Sequence, residues 1–354
     1  SPLEGEPDAL GAITDWQAEW KWDGMRAQLV RRDAGATIWS RGEERMNDAF
    51  PEIVAAADAL PAGTVLDGEL LAARPDCLLP FAMLSRRASR KRVTKKLLAE
   101  IPAVFVAYDL LEAAGKDLRG DPLADRRRRL VDLLPLAFGR LPQPTGGGPT
   151  LRDTDPATER LFHSPLVTGC SWAELRRIRT EARSRGVEGL MLKRTGSRYA
   201  HGRPRGDWWK WKVEPLEIDA VLHYAQAGHG RRAGLHTDYT LGVWDGDELV
   251  TIAKAYSGLS DKELVEVDKI IRATTVQRHG PVRVVEPTLV FQLAFENVSR
   301  STRHKSGIAV RFPRIQRWRR DKQPHDAATL ADLEALLAQA AGIDHHEGTK
   351  DTKE

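Results

Sequence analysis

Residues 18–28 read AEWKWDGMRAQ. One lysine, Lys21, stands between Trp20 and Trp22, with carboxylates at Glu19 and Asp23 and a glycine, Gly24, directly after. The alternation has the period of a β-strand, in which successive side chains point to opposite faces. Trp20 and Trp22 then enter a core, and Glu19, Lys21 and Asp23 share the other face. Gly24 lets the backbone turn sharply where it must approach a neighbour closely. Two readings follow: an edge strand with solvated charges, or a lysine nucleophile at the floor of a pocket. The second requires compensating positive charge. Flanking carboxylates hold an amine in its charged form, and an attacking amine must be neutral. A divalent metal bound with a triphosphate, or further basic residues facing the same pocket, would supply that charge.

Such residues occur in DWWKWKVE (207–214), where Trp209 and Trp211 take one strand face and Lys210 and Lys212 the other. Alone this is another amphipathic strand; with the first stretch it forms a constellation. LDGELLA (66–72) puts Asp67 and Glu69 on one strand face, and VEGLMLKR (187–194) supplies Glu188 and Lys193, with Gly189 permitting close approach. One or two carboxylates plus substrate oxygens suit magnesium, so Asp67, Glu69 and Glu188 are carboxylates open to a metal or a sugar. SRGEE (40–44) offers Arg41 after a strand, suited to phosphate or ribose, and VAYDLL (106–111) sets Tyr108 beside Asp109. An aromatic in such a pocket stacks on a base, although a core tyrosine is the commoner fate.

The order of elements predicts an α+β chain. Strand-like stretches (EWKWDGMRAQLVRR, ATIWSRG, TVLDGELLA, AVFVAYDLLE) alternate with helical ones (NDAFPEIVAAADAL, PLADRRRRLVDLL, SWAELRRIRTEARSRG) and a Pro/Gly loop, LPQPTGGGPT. This is a mixed domain on antiparallel sheets over residues 1–215. From residue 216 to 324, about five short strands, a WDGDE hairpin turn with Asp-Gly at its centre and one helix (SDKELVEVDKIIRAT) suggest a small barrel, for which the OB-fold is the candidate. Residues 325–354 hold a closing helix, LADLEALLAQAAG, and a polar tail, DHHEGTKDTKE, expected to be disordered.

Taken in order, K-x-D-G, S-R-G, D-G-E, an aromatic–Asp pair, E-G-x-x-x-K and K-x-K form the motif set of covalent nucleotidyltransferases. The chain resembles an ATP-dependent DNA ligase of the longer bacterial kind through nearly all of residues 14–324. KSGIAVRFPRIQRWRRDK (305–322) resembles the segment that ends the OB domain of those enzymes. The resemblance implies a nucleotidyltransferase (adenylation) domain followed by an OB-fold domain, with ATP as the source of AMP and Mg2+ or Mn2+ as the metal. It implies that Lys21 forms the lysyl-AMP phosphoramidate and that Glu19 addresses adenine. Arg26 and Arg41 would contact ribose or phosphate, Glu69 the ribose or metal, and Tyr108 would stack on adenine. Glu188 would assist the metal, and Lys193 counts with the nucleotide-binding set. Lys210 and Lys212 would hold the α-phosphate, and Arg319, Asp321 and Lys322 would engage pyrophosphate, with Arg314 and Arg317 left to DNA or structure. Two departures are Asn297, where glycine is frequent, and tyrosine rather than phenylalanine at 108.

Bulk properties fit. At 354 residues the chain has room for two domains, since single cores seldom grow past about 250 residues. No apolar run reaches the ~18 residues of a membrane span. Two cysteines, Cys77 and Cys170, exclude a disulfide framework and a four-cysteine zinc module, and fit a reducing cytoplasmic setting near the nucleoid. Basic clusters (SRRASRKRVTKK, DRRRRL, SRSTRHK, RFPRIQRWRRDK) point to a polyanion, here nicked double-stranded DNA recognised by shape and backbone. A monomer with a helical DNA-binding domain upstream of Ser1 is expected. The rivals are an RNA ligase, a GTP-dependent capping enzyme, an NAD-dependent ligase and, in another class, a non-catalytic nick-binding protein.

Overall fold

The computed structural model describes the chain except residues 75–76, 91, 136–159, 203, 231–232, 303 and 341–354, so the Pro/Gly loop at 141–150 and the tail at 344–354 lie outside the described residues. Two units divide at Val213/Glu214.

The first unit holds strands β1 (Trp16–Trp22), β2 (Met25–Arg32), β3 (Gly35–Ser40), β4 (Thr64–Ala72), β5 (Ala103–Ala113), β6 (Lys116–Asp117), β7 (Leu161–His163), β8 (Leu166–Val167), β9 (Val187–Arg194) and β10 (Trp208–Lys212). They form a small sheet in the order β10-β9-β1-β8 and a larger one in the order β3-β2-β4-β5-β6, with β7 added to β5. All pairings are antiparallel except β5–β7. The opening stretch therefore breaks into two strands at Asp23–Gly24, and β1 is a central strand rather than an edge. Trp20, Trp22 and Trp211 are buried with Leu71, Val104 and Val106 of the larger sheet, so the alternating tryptophans are the glue between the sheets. The other face of the larger sheet packs under helices α1 (Pro51–Ala57), α2 (Phe81–Ala88), α3 (Lys95–Glu100) and α4 (Leu123–Leu133) through Phe50, Ile53, Leu84 and Leu130. Helix α5 (Trp172–Thr180) starts at Ser171, whose hydroxyl accepts from Glu174 N at 3.2 Å, and is shorter than its sequence pattern predicts.

Gly24 packs where a side chain cannot: a Cβ there would lie 2.3 Å from Leu70 O and 2.7 Å from Glu69 Cγ. That contact brings the end of β1 onto the carboxylate-bearing part of β4.

The second unit contains β11 (Leu216–Ala227), β12 (His236–Asp245), β13 (Glu248–Ala255), helix α6 (Asp261–Ala273), β14 (Thr275–His279), β15 (Val282–Val285), β16 (Val290–Phe295), β17 (Asn297–Arg300), β18 (Ile308–Arg311), β19 (Arg314–Trp318) and helix α7 (Leu330–Ala340). Five strands in the order β13-β12-β11-β16-β19 make a curled sheet, and Ile315 N of β19 donates to Ser257 O just past β13 at 3.0 Å, closing the ring. The remaining strands form two hairpins, β14–β15 and β17–β18, that the sequence reading did not separate. The turn between β12 and β13 centres on Gly246–Asp247, one residue later than the Asp-Gly reading. Ser260 and Glu263 form a capping box at the start of α6. Leu333 of α7 is fully buried with Leu216, Phe291 and Phe295, so this helix belongs to the barrel's core.

Candidate active site

A register shift in the small sheet sets the centre. Trp20 pairs with Leu190 and Trp22 with Val187, so Glu188 and Gly189 together face the single residue Lys21. Such an extra residue re-aims side chains. Gly189 takes φ +135°, and a Cβ there would lie 2.4 Å from Trp211 O of β10. Glu188 thereby meets Lys21: its Oε2 accepts an ion pair from Lys21 Nζ and stands 3.3 Å from Lys212 Nζ. Lys21 and Glu188 are largely enclosed, with side chains 17% and 16% exposed. Burial pushes the Glu188 carboxyl up, but the charges and hydrogen bonds of Lys21 and Lys212 outweigh it and hold it below its ordinary value. Lys210, on the same strand, is exposed.

Glu69 of β4 is the second carboxylate near the lysine. Burial pushes its carboxyl up to about 8, with the Lys21 charge opposing and the Asp67 charge adding. A buried carboxyl in that state either keeps its proton or takes a cation. Glu69 and Glu188 therefore fit a hard divalent ion that completes its shell with substrate or water oxygens. No cluster of three or more His, Cys, Asp or Glu side chains occurs among the described residues.

Arg26 is held rather than loose. Its Nε and Nη2 donate to the two oxygens of Asp67 at 3.1 and 2.7 Å, and Nη2 also donates to the Tyr199 hydroxyl at 3.0 Å. Tyr199, from the loop between β9 and β10, donates to Asp67 Oδ2 at 2.8 Å and stands edge-on to Trp208. Tyr108 donates to Asp67 Oδ1 at 3.3 Å. Burial, reinforced by the Asp67 charge, lifts the Tyr108 phenol well above its ordinary range. Sequence reasoning missed Tyr199, because a loop tyrosine six positions past Lys193 belongs to no strand alternation and no motif; only the fold brings it to Asp67.

Glu19 and Lys193 form an ion pair of 2.9 Å, each side chain 2% exposed, and Gln17 donates to the same Glu19 oxygen at 2.8 Å. The Lys193 ammonium lies 4.5 Å from the Tyr108 ring centre and 4.7 Å from that of Trp208. Glu19 is thus turned inward, which goes against the alternative of an edge strand with solvated charges, and one side of Tyr108 is covered by Lys193. Arg41 lies exposed in the turn after β3. In the second unit, Arg319, Asp321 and Lys322 meet around Asp219: Arg319 Nη1 and Lys322 Nζ each lie 2.8 Å from Asp219 Oδ2. Arg317 Nε donates to Gln292 at 2.9 Å.

The basic clusters are less uniform than their sequence suggests. Arg87 is fully buried, donating to Ala49 O and Ile101 O and pairing with Glu52. Arg126 is fully buried on Asp109, with both contacts at 2.8 Å. Those arginines hold the core together and do not face a polyanion.

The model for the ATP dependent DNA ligase domain matches residues 7–212, and that for the ATP dependent DNA ligase C terminal region matches residues 232–322. The chain belongs to the ATP-dependent DNA ligase family. It is 39% identical over 339 residues to a probable DNA ligase of Koribacter versatilis, covering 95% of this chain and 59% of that one. It is 31% identical over 331 residues to a DNA ligase of Haloarcula marismortui, covering 92% of this chain and 56% of that one. The chain thus spans less than two thirds of the length of these ligase relatives. A solved Lig E DNA ligase shares the fold at TM-score 0.58 and 21% identity, covering 90% of this chain and 98% of that one. The α+β expectation, a nucleotidyltransferase domain on antiparallel sheets followed by an OB-fold domain, is borne out for this ligase-family chain. No described helix is long and apolar enough to cross a membrane.

Proposed function

We propose that this chain is the catalytic core of an ATP-dependent DNA ligase that seals nicks in duplex DNA. The observation that carries the reading is the enclosed Lys21–Glu188–Lys212 group on adjacent strands of a ligase-family fold. Lys21, once its ammonium has given up a proton to solvent, attacks the α-phosphorus of ATP; the N–P bond of a phosphoramidate with AMP forms as the P–O bond to pyrophosphate breaks. AMP then passes to the 5′-phosphate at the nick, and the adjacent 3′-hydroxyl displaces it to close the backbone. All three steps are in-line phosphoryl transfers, in which positioning and charge neutralisation dominate.

Each residue then has a task. Glu188 orients Lys21 and accepts charge from it, while Lys210 and Lys212 hold the α-phosphate. Glu69 and Glu188 would hold a divalent cation, magnesium or manganese, which would supply neutralising charge at the triphosphate. Asp67 and Tyr199 aim Arg26 at ribose or phosphate, Arg41 reaches phosphate from its exposed turn, and Tyr108 offers its free face to adenine. The Glu19–Lys193 pair forms the adenine end of the pocket. Arg319, Asp321 and Lys322 engage pyrophosphate in the first step. A nicked-DNA substrate would put the protein at the nucleoid in the cytoplasm, and we propose that it acts there as a monomer.

The test begins by stripping carried-over AMP with pyrophosphate. After desalting, α-labelled ATP is added with magnesium, and separately with manganese, to wild type and to Lys21→Ala. An acid-labile label on wild type alone supports the reading; no label with either metal refutes it in favour of a nick-binding protein. Sealing assays with nicked DNA against nicked RNA, and ATP against GTP, separate the DNA ligase from an RNA ligase or a capping enzyme.

A further inference from the structure

In the second unit two cations share one carboxylate oxygen. Asp219, on β11, has Oδ2 at 2.8 Å from both Arg319 Nη1 and Lys322 Nζ. Its Oδ1 is buried with no hydrogen-bond partner among the described residues. Asp321 takes the other side of the arginine, with Oδ1 at 3.0 Å from Nε and Oδ2 at 2.7 Å from Nη2. The guanidinium is therefore gripped from two sides and is 12% exposed, whereas the Lys322 side chain is 31% exposed. Among the described residues the Lys322 ammonium also reaches Asp326 O, at 3.5 Å.

Two like charges bound to one oxygen repel each other, and this arrangement stands only because the carboxylate is there. The backbone makes it rigid. Asp219 pairs with Gln292 of β16, Ala328 N donates to Asp219 O at 3.0 Å, and Arg319 N donates to Val290 O at 2.9 Å. Three segments distant in sequence are thus locked around one aspartate. Two cations held side by side on one carboxylate oxygen can each take a negative oxygen of a polyphosphate.

We propose that Asp219 is a positioning residue for the first chemical step: it fixes Arg319 and Lys322 as a paired cation site for the phosphates that leave as pyrophosphate. Asp219, itself an anion, does not touch the phosphates; it acts through the two cations. The inference rests on the ligase reading and on the pyrophosphate role given above to Arg319, Asp321 and Lys322.

Asp219→Asn tests it, since it keeps shape and an acceptor oxygen but removes the charge. Three rates are measured on the full chain: lysyl-AMP formation from ATP, release of AMP driven by inorganic pyrophosphate, and sealing of a nick already carrying a 5′-adenylate. The expected result is a loss of about tenfold or more in the first two, with the third within about twofold of wild type and the melting midpoint little changed. Asp219→Glu, which restores the charge at a slightly different reach, recovers part of the loss. Wild-type rates of adenylation and pyrophosphate-driven release in Asp219→Asn would overturn the proposal. So would an equal loss in all three rates with a lowered melting midpoint, which marks a merely structural aspartate. A wild-type chain that forms no lysyl-AMP would refute the ligase reading, and this inference with it; the wild-type arm tells the two failures apart.

Discussion

Lys212 Nζ lies 3.3 Å from Glu188 Oε2, the same atom that pairs with Lys21. One carboxylate thus balances two lysines, both of which face phosphate in the proposed mechanism. Replacing Glu188 by Gln removes the charged oxygen that Lys21 and Lys212 share and loosens the hold on the Lys21 side chain. Lysyl-AMP formation should fall by about 10²-fold or more in Glu188→Gln. Lys212→Ala should cost less at this step if the lysine chiefly neutralises phosphate charge. Single-turnover labelling with α-labelled ATP measures both, and a wild-type rate in Glu188→Gln would remove Glu188 from the mechanism.

The Glu69 carboxyl gives a pH test with a definite sign. Burial raises it from 4.5 to about 8, so between those values the folded chain keeps a proton that the unfolded chain has lost. The stability linked to that proton is complete below about 4.5 and is lost as pH rises through 8. Glu69→Gln has no proton to lose there. Its melting midpoint should therefore fall less steeply than that of wild type from about pH 5 to about pH 9. Magnesium with ATP should flatten the wild-type curve, because a cation beside Glu69 favours the carboxylate. Parallel melting curves for the two proteins would show that Glu69 is not held neutral.

How much of this could be read in advance depends on the range of the physics involved. The alternation around Lys21 and Lys212 is local and of period two, so it announced strands, buried tryptophans and a lysine-bearing face. The motif order announced the family. Neither signal revealed the irregular pairing opposite Lys21 that turns Glu188 toward it, because a register shift belongs to two strands at once. Tyr199 and Asp219 act across the fold and had no local pattern. Charge runs misled where a helix has an inner face: Arg87 and Arg126 sit in basic clusters, yet both are fully buried on carboxylates and carbonyls.

The Glu19–Lys193 pair separates a structural from a ligand role. Both side chains are buried, and the lysine is sandwiched between Tyr108 and Trp208. Removing one partner strands the other charge, so Lys193→Met should destabilise the chain by about 3–5 kcal/mol. The double variant Glu19→Gln with Lys193→Met strands no charge and should recover most of that loss. Urea midpoints of the two singles and the double close the cycle. Additive losses would mean that the two residues do not act as a pair.

The boundary between the units offers a test of motion. The units divide at Val213/Glu214, and Val213, directly after β10, has its N tied to Glu188 O at 3.1 Å, so Glu214 is the first residue past that contact. The ligase reading requires the OB domain to serve ATP first and DNA afterwards, a conformational step that needs a few residues to change their backbone angles. Glu214 precedes Pro215, which already narrows its choices. A proline at 214 would fix φ near about −65° and leave little freedom between Val213 and Leu216. Glu214→Pro should therefore bind ATP and form lysyl-AMP at rates within a few-fold of wild type, yet seal nicks about tenfold more slowly. If sealing keeps its wild-type rate, the pivot lies elsewhere. If lysyl-AMP formation falls as far as sealing does, the substitution has disturbed the Val213–Glu188 contact and not a hinge. Comparing the two rates in one preparation decides between these outcomes.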